Sequence, residues 1–257
     1  MSKGISSNII LIFTISVSLF GSFTAIMLAL HPPTIQENLP YRKMLIGSLF
    51  TLICISGIVA AFFPKKCSKA FHLPKIEKST ISEANTHVSY ECSIAVKGHH
   101  PDCGRFSDHV LNVGKHVFCA ACTGLLLGAF IVLAGTALYF FGGWDIGQFG
   151  FAAVLVGQVG IVLGFIQLKF KGYARLTLNA FFVFAAFLTL VGIDKIAENL
   201  FIESYIVILI IFWLFTRILI SQWDHWRICH TCKLPCELKE SGVLMSPAQP
   251  VKSAYGH

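Results

Sequence analysis

The sequence predicts an all-α fold: a polytopic membrane helix bundle of six transmembrane helices, with a cytoplasmic Cys/His metal-site loop and tail. Of the 257 residues, 55% are hydrophobic and only 13% are charged, whereas soluble domains contain about 25% charged residues. Six apolar runs are each long enough to cross a bilayer. Most of the Cys and His residues lie in the segments between and after these runs.

Each of the six runs contains about 20 mostly apolar residues, the length that a helix needs to cross the hydrocarbon layer. The predicted spans are Ile9–Leu30, Met44–Phe63, Phe118–Phe141, Gly150–Leu168, Leu176–Ala197 and Phe201–Ser221. The first run exceeds the roughly 7–15 apolar residues of a signal peptide, so we expect it to remain as a span. The spans divide the chain into a two-helix hairpin (1–63), a Cys/His-rich loop (64–117), a four-helix unit (118–221) and a tail (222–257).

The basic residues predict which side of the membrane the termini face. An even number of spans places both termini, the 64–117 loop and the 169–175 loop on one side. Seventeen of the 20 Lys and Arg residues fall on that side, and such residues accumulate on the cytoplasmic side of membranes. We therefore expect a multi-pass protein of the cell membrane with both termini in the cytoplasm. Its basic face would attract anionic lipids of the bilayer rather than nucleic acid.

The interiors of the predicted spans carry almost no charge. Asp194, Glu198 and Glu203 are predicted to lie in a solvated loop between the fifth and sixth spans. Ion-coupled transporters usually need ionisable groups inside the bilayer. The sequence therefore argues against coupled transport.

Eight of the nine Cys residues and nine of the ten His residues fall on the predicted cytoplasmic side, whereas Cys54 is expected to be a buried apolar residue of the second span. Thiols in the reducing cytoplasm are rarely structural disulfides, so we interpret these residues as metal ligands. The predicted ligands are His100, Cys103, Cys119, Cys122, Cys229, Cys232 and Cys236. Cys67, Cys92, His99, His109, His116, His225 and His230 are left without an assigned role.

Two clusters have helical spacing. In His116-x-x-Cys119-x-x-Cys122, residues three apart are expected on one face at the start of the third span. The positive helix N-terminus there favours thiolate, the form that binds metals. If the sixth span continues as a helix, His225, Cys229 and Cys232 lie along one stripe, and Pro235 ends the helix before Cys236. Both clusters lie at the same membrane face and predict a shared site.

Two C-x-x-C pairs are the usual plan of a Cys₄ zinc site, and sulfur with imidazole suits zinc or an iron–sulfur cluster. The spacing differs from the ferredoxin pattern, so zinc is the predicted metal, in a structural or regulatory role that could include docking a protein partner. Two alternatives stay open: a membrane redox component (an iron–sulfur electron carrier or a thiol oxidoreductase) and metal-ion transport. The sequence shows no Ser/His/Asp order, P-loop or dinucleotide fingerprint, which argues against an enzyme.

The residues around the second cluster also resemble a known family. His100-Pro-Asp-Cys103-Gly-Arg-Phe106 and Phe118-Cys-Ala-Ala-Cys122-Thr-Gly-Leu-Leu-Leu-Gly128 are similar to an uncharacterised family of prokaryotic membrane proteins of unknown function. That family has a Cys/His-Pro stretch, then a C-x-R-C-T-G motif where a span begins, with a Gly a turn later. In this chain Ala121 stands in place of the Arg. The resemblance covers about residues 99–128 and implies a site at Cys119 and Cys122.

Overall fold

Six long helices form most of the structure, a computed structural model that describes residues 2–33, 39–62, 96–97, 100–101, 106–114 and 116–231. The helices are α1 (Ser2–Leu30), α2 (Arg42–Phe62), α3 (Ala120–Thr136), α4 (Gly150–Phe165), α5 (Gly172–Ala197) and α6 (Leu200–Thr231). A π-helical segment, Ala137–Phe141, extends α3. The described residues also form two short antiparallel sheets of two strands each. In the first, β1 (Val96–Lys97) pairs with β2 (His100–Pro101), and in the second, β3 (Val110–Val113) pairs with β4 (His116–Cys119).

The six helices are long and apolar enough to cross a membrane, which indicates a multi-pass membrane protein. The candidate membrane-spanning segments are Asn8–Leu30, Arg42–Phe62, Ala120–Phe141, Gly147–Phe165, Gly172–Ala197 and Leu200–His225. Each of the six predicted spans is therefore confirmed as a helix that could span a membrane, with boundaries within four residues of those expected. Each helix keeps its backbone hydrogen bonds within itself, as the hydrocarbon layer requires.

Helix α5 lies at the centre of the bundle, packed along α3 and α4 and in contact with α1 and α6. The Gly124-x-x-x-Gly128 and Gly160-x-x-x-Gly164 pairs have the spacing of close helix contacts, and both pairs lie against α5. A side chain at Gly124 would meet the carbonyl oxygen of Leu176, and one at Gly128 would meet the backbone of Ala180. Glycine thus allows the close helix approach that membrane bundles use. Cys54 is buried, as predicted.

Helices α1 and α6 run antiparallel along a seam of hydrogen bonds. The Ser18 and Thr216 hydroxyls are 2.8 Å apart, and Trp213 Nε1 donates to the Ser18 carbonyl oxygen at 3.1 Å. Near the ends of the two helices, Trp223 Nε1 donates to Asn8 Oδ1 at 2.9 Å. The start of α1 and the end of α6 therefore lie at the same end of the bundle, which we call the terminal end.

The segment before α3 is a strand, so the prediction that His116, Cys119 and Cys122 share a helix face is wrong. Strand β4 pairs with β3 in the register Val110↔Cys119, and the chain turns at Gly114, whose φ is +60°. Valine and phenylalanine between His116 and Cys119 favour an extended strand. The helix begins only after Cys119, which is the N-cap residue of α3.

Candidate functional site

The bundle contains two buried polar clusters, one at each end. The terminal-end cluster consists of His109, Cys119, Cys122, Arg175, Asn179, Arg217, Asp224 and His225. The opposite-end cluster consists of Arg42, Lys43, Tyr139, Asp194 and Glu203. Buried charges are costly unless they are paired. Each charged side chain in these clusters is therefore expected to have a partner close by.

The β3–β4 hairpin positions the two cysteines at the terminal end. Its last residue, Cys119, caps α3 and is 8% exposed, and Cys122 is half-buried in the first turn of the helix. Both side chains therefore sit at the helix N-terminus, where the unpaired N–H groups create a positive partial charge. This location stabilises the thiolate form of a cysteine.

Arg217 of α6 is buried at the same end of the bundle and is 5% exposed. Its Nε donates to Asn179 Oδ1 at 3.0 Å, and its Nη2 contacts the same oxygen. Asn179 is itself held by its own helix, because its Nδ2 donates to the Arg175 carbonyl oxygen at 2.6 Å. Among the described residues no carboxylate pairs with Arg217, whereas the Cys122 and Cys119 thiols lie within electrostatic range of its guanidinium.

Arg175 forms a second buried arrangement with the loop and α6. Its Nη1 is 3.1 Å from His109 Nδ1, and its Nη2 is 3.7 Å from Asp224 Oδ2. An arginine can only donate hydrogen bonds, so His109 Nδ1 is the acceptor. The neutral imidazole then carries its proton on Nε2, which lies 3.6 Å from Asp224 Oδ2. His109 thus links the guanidinium to the carboxylate.

Aromatic contacts hold the 106–109 segment against the end of α6. The ring centroids of Phe106 and His225 are 5.5 Å apart, and those of His109 and His225 are 5.6 Å apart. Phe106 also meets His109 edge-to-face at 5.4 Å. The loop before α3 and the last turns of α6 therefore converge at the terminal end.

The predicted ligands fall into three groups. Cys119 and Cys122 lie together at the start of α3, as expected. The backbone of His100 lies in β2 and that of Cys229 lies in α6, but their side chains are outside the described part of the chain. Cys103, Cys232 and Cys236 lie outside the described residues altogether. Within the described residues, no group of three or more His, Cys, Asp or Glu is placed to hold a metal ion.

Sequence reasoning missed the charged half of the terminal-end cluster. Arg175 and Arg217 were counted only as basic residues of the cytoplasmic face, yet both are buried. A usable signal was present, because Arg217 lies inside the predicted sixth span, and a charge within a span usually faces the bundle interior. Asn179, a polar residue inside the predicted fifth span, offers a weaker signal of the same kind, whereas Asp224 lies outside the predicted spans and offers none.

At the opposite end of the bundle, Arg42 connects α2 to α5 and α6. Its Nη1 is 2.8 Å from Asp194 Oδ1 and also contacts Glu203. Tyr139 OH donates to Asp194 Oδ2 at 2.6 Å, and Lys43 Nζ lies 3.5 Å from the same oxygen. Four helical elements are therefore joined by one ionic network, since Tyr139 belongs to the π-helical extension of α3.

The predicted solvated loop around Asp194 and Glu203 is therefore wrong, because both side chains are 0% exposed. Helix α5 ends at Ala197 and α6 begins at Leu200, so only two residues connect them. Glu198, which is half-exposed, takes a left-handed conformation with φ +45°. The Asn199 side chain then accepts hydrogen bonds from the first turn of α6, as an N-cap does. This tight turn keeps Asp194 and Glu203 inside the helices.

An exposed ion pair lies near the opposite-end cluster. Lys195 Nζ is 2.7 Å from Asp145 Oδ2, and the Gly147 N–H donates to Asp145 Oδ1 at 3.1 Å. The hydrogen bond from Lys195 holds the pKa of the Asp145 carboxyl below its usual range, and the Gly147 bond acts in the same direction. Because solvent screens such a pair, it contributes little to stability.

Comparison with known proteins adds no further identification. No family model, curated protein or solved structure matches this chain. The resemblance of residues 99–128 to an uncharacterised prokaryotic family stays a sequence-based expectation.

Proposed function

We propose that this chain is a multi-pass protein of the cell membrane that holds a zinc ion at its terminal end, in a structural or regulatory role. Cys119 and Cys122 provide two thiolates from the start of α3. The remaining ligands come from residues that the sequence predicts: His100, Cys103, Cys229, Cys232 and Cys236. The terminal end faces the cytoplasm, where the thiols stay reduced and available to a metal.

The observation that carries this proposal is the environment of Arg217. Its guanidinium is buried, its described hydrogen-bond partner is a neutral amide, and Cys122 and Cys119 act on it electrostatically as groups able to carry negative charge. A buried cation is stable only when an anion compensates it. Zinc-bound cysteines are deprotonated, so a zinc–thiolate complex supplies that negative charge permanently.

The geometry also supports a role in fastening the loop and tail to the bundle. The 106–109 segment and the end of α6 already meet through Phe106, His109 and His225, and α6 continues through Cys229 to Thr231. A metal that joins Cys119 and Cys122 to Cys229 and the following cysteines would lock this contact. Loss of the metal would release the tail, which is how such a site could regulate a partner's access.

The orientation of the protein can be tested with a reporter that is active only in the cytoplasm. We expect activity when the reporter follows residue 257, because the sequence assigns 17 of the 20 Lys and Arg residues to that side of the membrane. The matched insertion at Asp145, between α3 and α4, should be inactive. The reverse pattern would show that the terminal end faces away from the cytoplasm and would remove the argument from reduced thiols.

Metal content tests the site directly. The full chain, purified in detergent without chelators, should contain about one to two zinc ions per molecule, as expected for closed Cys/His sites. Replacing Cys119 and Cys122 together by Ser should remove at least one equivalent, because two thiolate ligands are lost. Elemental analysis of both proteins gives the answer.

The control for that experiment is Cys54→Ala, which removes a buried thiol of α2 that lies outside both clusters. It should retain the zinc content of the wild-type protein. Wild-type protein that is free of metal, even after reconstitution with zinc, would rule out the proposed site. Stoichiometric iron with visible absorption bands would instead favour the iron–sulfur alternative.

A further inference from the structure

The two buried carboxylates of the opposite-end cluster have unequal partners. Both oxygens of Asp194 are paired, because Arg42 Nη1 lies 2.8 Å from Oδ1 and Tyr139 OH donates to Oδ2 at 2.6 Å. Glu203 shares the same Arg42 nitrogen through its Oε1. Its other oxygen, Oε2, is buried and has no hydrogen-bond partner among the described residues. Glu203 is therefore the carboxylate whose negative charge is less well compensated.

The buried charges of this cluster do not cancel when both carboxylates are ionised. Arg42 is 7% exposed, and Asp194 and Glu203 are both 0% exposed, so one buried guanidinium faces two buried carboxylates. Lys43 adds a positive charge, but its side chain is 41% exposed and its ion pair is with Asp194. Burial favours the neutral form of a carboxyl group. A proton on Glu203 would leave one buried cation paired with one buried anion, the arrangement that buried charges require.

The position of Glu203 gives this proton a route to water. Glu203 lies in the first turn of α6, within the candidate span Leu200–His225, and carboxyl groups inside spans often mark proton-binding sites. The partly exposed Lys43 connects the cluster to the outside, because its Nζ lies 3.5 Å from Asp194 Oδ2 and 4.7 Å from the centroid of the Tyr139 ring. Tyr139 reaches the cluster from a π-helical segment, a feature that is frequent at functional sites.

The other elements packed against α6 bring no further charge to this cluster among the described residues. Helices α1 and α4 contact α6, and Lys3, the one charged residue that they contain, belongs to the start of α1 at the terminal end. The remaining described titratable residues at the opposite end are exposed or partly exposed: His31, Tyr41, Asp145, Lys195, Glu198 and Tyr205. The buried charge at this end therefore belongs to Arg42, Asp194 and Glu203.

We propose that Glu203 is a proton-binding site that exchanges with the aqueous phase at the opposite end of the bundle. A proton from water forms an O–H bond on the carboxylate, the carboxyl group becomes neutral, and Arg42 then pairs with Asp194 alone. Protonation thus removes the ion pair between α2 and α6 and keeps the ion pair between α2 and α5. This site is separate from the proposed zinc site and does not depend on it.

Infrared spectroscopy of the full chain in detergent tests this assignment, because a protonated carboxylic acid has a carbonyl stretching band that a carboxylate lacks. Between about pH 5.5 and pH 8, exposed Asp and Glu residues, with pKa values of about 4, stay mostly ionised. We expect a carboxylic-acid band that grows as the pH falls through this range. Glu203→Gln should abolish the band. Glu198→Gln, which removes a half-exposed carboxyl group at the same end, should retain it.

Isotope labelling of the wild-type chain assigns the band without a substitution, so the test holds even if Glu203→Gln does not fold. Carbon-13 in the side-chain carboxyl of Glu should shift the band to lower frequency, and the same label in Asp should leave it in place. Three results would each overturn the proposal: no such band in the wild type, a band that Glu203→Gln leaves intact, or a band that shifts only with labelled Asp.

Discussion

Replacing Arg42 by Met should lower the free energy of unfolding by about 3–5 kcal/mol, the usual cost of removing one partner of a buried ion pair. The side chain that is lost contacts both Asp194 and Glu203, which are fully buried. Lys43, which is partly exposed, remains 3.5 Å from Asp194, but its ion pair does not extend to Glu203. The variant therefore leaves a carboxylate in the bundle without its cation.

The unfolding of Arg42→Met can be followed by tryptophan fluorescence during titration of mixed micelles with sodium dodecyl sulfate. The double variant Arg42→Met/Glu203→Gln should lose less stability than the single variant, because the stranded charge is gone and coupled residues are not additive. Lys195→Met is the control. It breaks the exposed pair with Asp145 at the same end, and exposed pairs contribute up to about 1 kcal/mol. If Arg42→Met costs no more than Lys195→Met, the buried network does not stabilise the fold.

The membrane spans could be predicted because hydropathy is a local property of each run of residues. All six predicted runs form helices that are long and apolar enough to span a membrane. The ends of the spans were harder to predict. Where a span is preceded by a strand, its first residue depends on pairing with residues elsewhere in the chain. Cys119 illustrates this, because its place as the last residue of β4 depends on pairing with Val110.

The charged clusters could not be predicted because their partners are far apart in the sequence. Arg42 and Asp194 are separated by 152 positions, and Arg217 and Asn179 by 38. Composition places each residue near a span end but says nothing about its neighbour. The sequence argument against ion coupling assumed that the spans lack buried charge. That premise does not hold, since Asp194, Glu203 and Arg217 are all buried in the bundle.

The expected site is only partly within the described structure. Cys119 and Cys122 lie together, and the end of α6 that leads to Cys229 lies beside the 106–109 segment. The prediction of a site shared with Cys232 and Cys236 falls outside the described residues and stays a prediction. The structure adds the buried guanidiniums of Arg175 and Arg217 to the predicted cysteines. Buried cations need compensating negative charge.

Replacing Gly124 by Leu should lower the free energy of unfolding by about 3 kcal/mol, the upper end of the usual cost of overpacking. A side chain at this position would meet the Leu176 carbonyl oxygen and the Asn179 Cβ. A backbone carbonyl cannot rotate away as a flexible side chain can, so α3 and α5 must move apart. Gly124→Ala, which adds the Cβ alone, should show a smaller loss in the same titration.

The same substitution should also reduce zinc retention, because Gly124 connects packing to the proposed site. Asn179, which the new side chain would push, holds Arg217, and Cys122 and Cys119 act electrostatically on the Arg217 guanidinium. Gly57→Leu on α2 is the matched control, because a Cβ there meets nothing within 4 Å. It should keep the wild-type zinc content and change stability little, since leucine forms helices better than glycine by up to about 1 kcal/mol. If Gly124→Leu matches Gly57→Leu in both stability and zinc content, α3 does not pack on α5 at this position, and the link between packing and the site is lost.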